Sequence, residues 1–76
     1  MTNPYYTTSD PYYAAYLSVA NVPFRGLTKD PMGKSQFNFE PVTNIHDLKQ
    51  GFYGGTARVP AYAYAKEVRS MKSLLR

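Results

Sequence analysis

Val59-Pro60-Ala61-Tyr62-Ala63-Tyr64-Ala65-Lys66-Glu67-Val68-Arg69-Ser70-Met71-Lys72-Ser73-Leu74-Leu75-Arg76 closes the chain. Its periodicity sets the terms on which the rest must pack. Proline suits the first turn of a helix, where its missing N–H would be unpaired anyway. Beyond it, Ala61, Tyr64, Val68, Met71 and Leu75 recur at three- and four-residue steps, the spacing of one helical face. The opposite face carries Tyr62, Lys66, Arg69 and Ser73, with Lys72 and Arg76 on its shoulder. The stretch therefore predicts one amphipathic helix with a packing side and a basic side.

Charge is concentrated on this element. The formal net charge is +4. Residues 1–24 hold a single charged side chain, Asp10, and residues 25–55 are nearly balanced. Residues 56–76 hold Arg58, Lys66, Arg69, Lys72 and Arg76 against Glu67. Lys66 with Arg69, Arg69 with Lys72 and Lys72 with Arg76 are like-charge neighbours at helical spacing, and Glu67 has no cation three or four residues away. Cations in a last turn complement the helix dipole by about 0.3–1 kcal/mol, which accounts for Lys72 and Arg76 but reaches Lys66 and Arg69 poorly. A localised basic stripe of this kind suits phosphate. Tyr62, Lys66, Arg69, Lys72 and Arg76 are accordingly the candidate nucleic-acid contacts.

Working back from the helix, 76 residues leave room for one domain. Residues 1–9 are polar and contain Pro4, so they read as an extended N-terminal arm, with a single domain over residues 10–76. Asp10-Pro11 reads as an N-cap followed by proline at the first helical position, opening a helix to about Ala20 with Ala14 and Leu17 inward and Tyr13 flanking. Asn21, tolerant of left-handed geometry, stops it before Val22-Pro23. Asp30-Pro31-Met32-Gly33 has the chemistry of a type I turn. It joins a strand from Phe24 to Lys29, with Gly26 as a bulge, to a strand from Lys34 to Glu40. Alternation on that second strand puts Phe37 and Phe39 on one face and Gln36, Asn38 and Glu40 on the other. Thr43 or Asn44 caps a further helix with Ile45, Leu48 and Phe52 inward, ended by Gly54-Gly55. The expected fold is α+β in the order α-β-β-α-α, a two-stranded antiparallel hairpin packed on three helices.

Several classes of chemistry find no support in the residues. The chain has no cysteine, so disulfides, thiolate metal sites and thiol nucleophiles are out, in keeping with a reducing cytosol. The one histidine, His46, sits beside Asp47, and adjacent helical residues point about 100° apart. No second ligand lies at helical spacing to make a metal face. Gly54-Gly55 lacks the surrounding glycines and lysine of a phosphate loop. Met1-Thr2-Asn3-Pro4-Tyr5-Tyr6 is not a signal peptide, and no apolar run approaches the roughly 20 residues of a membrane span. The expectation is a cytoplasmic protein without catalytic residues, metal, cofactor, small-molecule substrate or membrane association.

Tyrosine is the other conspicuous residue, with eight in the chain. Tyr5, Tyr6, Tyr12, Tyr13 and Tyr16 crowd the first sixteen positions. Tyrosine is apolar in body and polar at its tip, which makes it a residue of protein interfaces. It also stacks on unpaired bases, but this region has no cation of its own beyond the terminal amine, which favours a protein partner or a second copy of the chain.

Thr8-Ser9-Asp10 before Ala14-Ala15-Tyr16-Leu17, the Phe37-Asn38-Phe39 strand, Phe52-Tyr53, Val59-Pro60 and the closing Met71-Lys72-Ser73-Leu74-Leu75 span nearly the whole chain. In these landmarks it resembles a family of small bacterial and phage proteins whose domain has no assigned function. The doubled Tyr5-Tyr6 and Tyr12-Tyr13 are not part of that pattern. The resemblance implies a compact single domain and carries over no catalytic or binding residues. The expected function is that of a small, basic, non-enzymatic nucleic-acid-associated accessory protein of phage or mobile-element type, contacting phosphates through its last helix. The alternative is an interaction or assembly subunit docking through the tyrosine-rich arm and first helix.

Overall fold

The computed structural model describes residues 4–75. In chain order the elements are β1 (Tyr6–Thr8), α1 (Pro11–Val19), β2 (Phe24–Lys29), β3 (Ser35–Phe39), α2 (Ile45–Tyr53) and α3 (Ala61–Ser73). The protein is α+β as expected, but the sheet has three strands, not two. β1 pairs antiparallel with β3, giving the order β1-β3-β2. The expected order α-β-β-α-α omits this strand because Tyr6-Thr7-Thr8 carries no hydrophobic alternation. Its pairing is supplied by the far edge of β3.

The local signals are realised closely. Asp10 caps α1, its carboxylate accepting the Tyr12 N–H at 2.9 Å, with Pro11 in the first turn. The helix ends in a Schellman motif. The Val22 N–H bonds the Leu17 carbonyl at 3.0 Å, the Asn21 N–H bonds that of Ser18 at 3.1 Å, and Asn21 takes φ 67°. Leu17 and Val22, the apolar pair that accompanies such a motif, are both buried. Gly55 ends α2 in the same way, with Thr56 N–H to Gly51 O at 2.9 Å and Gly55 N–H to Phe52 O at 3.4 Å. At the hairpin, Gly33 N–H closes the turn onto Asp30 O at 2.8 Å. The Asp30 carboxylate accepts from Met32 and Lys34, and Gly33 sits at φ 83°, completing a type I turn with its bulge. The register of β2 on β3 shifts between Phe24 and Leu27, around Gly26 at φ 98°.

The core differs from the expected one at its centre. Tyr13, Ala14, Ala15, Tyr16 and Leu17 are five consecutive buried residues, so the middle of α1 has no wet side. A helix apolar all round is one that is covered all round. Tyr6 of β1 meets Tyr13 edge-on at 6.2 Å, and Phe52 of α2 lies 5.4 Å from Tyr13 and 5.3 Å from Tyr16. α3 runs antiparallel along a further side, Ser18 reaching Glu67 while Tyr12 lies against Tyr64 and Lys72. Phe37 and Phe39 are fully buried on the sheet face they share with their register partners Tyr6, Thr8, Phe24 and Leu27. Leu48, Phe52 and Val68 pack on the same cluster, as expected.

The burial of Asn38 and the two ends of α3 depart from the simple sequence pattern. Asn38, on the face opposite Phe37 and Phe39, is 2% exposed. β3 is the central strand, and a central residue is flanked by neighbours on both sides. Asn38 donates to the Thr28 hydroxyl at 3.1 Å, while its Oδ1 is buried without a hydrogen-bond partner among the described residues. Pro60 is the N-cap of α3 and not its first residue. The helix ends at Ser73, so Leu75 lies beyond it and is 42% exposed in place of packing inward.

Candidate nucleic-acid interface

α3 turns Tyr64, Val68 and Met71 toward the core, as the three- and four-residue spacing requires. Its remaining acid is also turned inward. The Ser18 hydroxyl donates to Glu67 Oε1 at 3.1 Å, tying the carboxylate to α1 and away from the cations beside it in sequence. Tyr64 donates to the Tyr12 carbonyl at 3.1 Å. Burial, and then the charges of Asp10 and Tyr12, raise its phenol above the ordinary range.

Among the described residues, no acid is paired to the basic side. Lys66, Arg69 and Lys72 are exposed. Among the described residues the one ion pair is Arg25–Glu40 at 2.7 Å, on the sheet. Tyr62, in the first turn of α3, is 77% exposed. Lys72 has a different partner: its ammonium lies 4.6 Å over the ring of Tyr12, a cation–π contact across the α1–α3 seam. Arg76 lies outside the described residues. Lys66 and Glu67, with Ser18, Val19, Asn21, Pro60 and Ala63, line an open hollow of about 400 Å³ where the end of α1 meets the start of α3.

The tyrosines proposed as partner contacts divide. Tyr5 and Tyr12 are 39% and 46% exposed. Tyr13 and Tyr16 are 1% and 7% exposed, so a partner cannot reach them in this fold; they are core residues, because α1 is enclosed. Tyr6 is half-buried, its hydroxyl 3.0 Å from that of Tyr13. Burial, followed by the Tyr6 hydrogen bond, pushes the Tyr13 phenol far above its ordinary value. Tyr53, half-exposed at the end of α2, donates to Asp10 Oδ2 at 2.8 Å and is pushed up to about 12 by burial and by that carboxylate. Asp10 therefore caps α1 and anchors α2 at once.

His46 is exposed in the first turn of α2. Among the described residues no group of three or more acids and histidines is gathered where a metal ion could be held, and no helix is long and apolar enough to cross a membrane. Compared with protein families, curated proteins and solved structures, the chain matches none.

Sequence reasoning treated the basic helix and the N-terminal tyrosines as rival sites, and the fold joins them at Tyr12 and Lys72. No signal in the chain could have revealed that contact, since the two residues are separated by β2, β3 and α2. The Ser18–Glu67 bond is equally non-local. It was foreshadowed only by Glu67 having no cation at helical spacing.

Proposed function

We propose that this protein is a small, non-enzymatic accessory protein that binds nucleic acid through the phosphates, using the outer face of α3. The observation that carries the reading is the lack of acids on that face. Among the described residues, no carboxylate is paired to Lys66 or Arg69, both of which are exposed, while Glu67 is held against α1 by Ser18. Unpaired cations in a row cost little in fold stability and offer phosphate contacts that need little geometry. Tyr62, Lys72 and Arg76 extend the surface. The alternative, docking of a protein through the N-terminal tyrosines, has lost Tyr13 and Tyr16 to the core and retains only Tyr5 and Tyr12 as well-exposed rings. A setting on phage or mobile elements is part of the same proposal.

The test is the salt dependence of binding. Affinity should vary little with sequence and fall steeply with salt, by about 0.9 log units per phosphate contact per log unit of salt on duplex DNA and about 0.7 on a single strand. Replacing Lys66 and Arg69 together by glutamine preserves helix propensity. It should flatten the slope by roughly 1.4–1.8, the share of two contacts. Absence of binding at low salt, or binding untouched by the double substitution, refutes the reading.

A further inference from the structure

The exposed surface of α3 is not uniformly basic. Tyr62, Ala65, Arg69 and Lys72 follow one another at steps of three and four, so they form one row along the helix. The row begins at a ring that is 77% exposed and ends where Lys72 lies over Tyr12, itself 46% exposed. An aromatic ring thus stands at each end, with two cations between. The ten residue steps from Tyr62 to Lys72 rise about 15 Å. That is about four nucleotides at the roughly 3.4 Å per phosphate of a stacked strand.

We propose that the nucleic acid taken by this surface is single-stranded, a base stacking on Tyr62 and another at Tyr12, with the intervening phosphates along Arg69 and Lys72. The inference rests on the reading of α3 as a phosphate-binding face and adds the class of strand. In a duplex the faces of the bases are hidden in the stack, and a flat exposed ring gains nothing from them. In a single strand every base offers a face, and stacking is tolerant of sequence. The pairing of Lys72 with the Tyr12 ring points the same way. A cation held beside an exposed ring, with no carboxylate among the described residues paired to it, matches a nucleotide, which brings a base and a phosphate together.

The experiment compares a labelled oligothymidylate with a duplex of equal length, titrated with the full chain at the same low salt and followed by fluorescence anisotropy. The single strand should bind more tightly. Tyr62→Ala, at a position too exposed to matter for folding, should weaken oligothymidylate binding by roughly 5- to 150-fold, the worth of one stacked base. The salt slope should not change, because stacking releases no counterions. Tyr62→Phe should bind like the native chain. A duplex bound as tightly as the single strand, or Tyr62→Ala binding like the native chain, overturns the single-strand inference and leaves the phosphate-binding reading intact. Binding to neither probe overturns both.

Discussion

Tyr13 concentrates more of this fold in one side chain than any other residue. It is 1% exposed and its ring lies among Tyr6, Tyr16, Phe52 and Tyr53, with centroids 5.2–6.5 Å away. A buried phenol needs a hydrogen-bond partner, and the Tyr6 hydroxyl at 3.0 Å is the one it has. The same burial raises its pKa above the ordinary 10.0, so alkaline pH should act on the fold through it. Below about pH 10 the phenol is protonated both folded and unfolded, and it contributes no pH dependence. Above that, the unfolded chain releases the proton while the folded chain keeps it, so stability falls as pH rises. Tyr53 adds to the fall until about pH 12, where its folded form also ionises. The melting temperature should therefore be level near neutrality and decline above about pH 10. Tyr13→Phe should shift that decline to higher pH, at a cost near neutrality of about 1 kcal/mol for the lost hydrogen bond. Thermal melts followed alongside tyrosinate absorbance would check this. A curve that stays level through pH 11, or one unchanged by Tyr13→Phe, would count against it.

At the scale of the element, β1 is the finding that changes an expectation. Being polar and bearing a proline, residues 1–9 read in sequence as an extended arm outside the domain. In the fold, Tyr6 pairs with Phe39 and Thr8 with Phe37, so the strand covers the free edge of β3 and brings the Tyr6 ring onto Tyr13. A bare two-stranded hairpin is weak, and an uncovered apolar edge invites pairing between copies. Deleting residues 1–8 should therefore cost at least ~1 kcal/mol, about 4–8 °C in Tm for a chain of this size. It should also increase self-association, read by light scattering. An unchanged melting temperature would mean that β1 merely rests on the sheet. The caps and turns tell the opposite story. Asp10, Asn21, Asp30 to Gly33 and Gly55 act on backbone groups within a few residues of themselves, so their chemistry was legible before any tertiary contact was known.

For the molecule as a whole, what matters is that one small core serves every element. Phe39 is fully buried, faces Tyr6 across the β1–β3 pairing and lies 5.3 Å from Phe24. It belongs to the cluster that joins α1 and α3 to the sheet. Phe39→Ala should cost about 3–5 kcal/mol. A domain of this size commands only about 5–15 kcal/mol in total, so the loss should leave it close to unfolding at ambient temperature. Near-UV and far-UV circular dichroism should melt together in the variant, far below the native Tm. Retention of the native Tm would show that the sheet packs in another register.

Local chemistry, read along the chain, determined where α1, α2 and the hairpin lie, which residues bend the backbone, and that positive charge gathers on one side of the last helix, though not where that helix starts and stops. Each of these depends on residues within about one helical turn or one hairpin of each other, where spacing is information enough. Tertiary structure alone decided the rest. It made α1 the enclosed element, because a helix with apolar residues all round does not announce which neighbours will surround it. It gave Tyr6-Thr7-Thr8 a strand's role by offering the edge of β3, and it sank Asn38 by making β3 central. It also drew Glu67 onto Ser18 and Lys72 onto Tyr12 across the α1–α3 seam. Those contacts join residues far apart in sequence, and no periodicity encodes the partner at the other end.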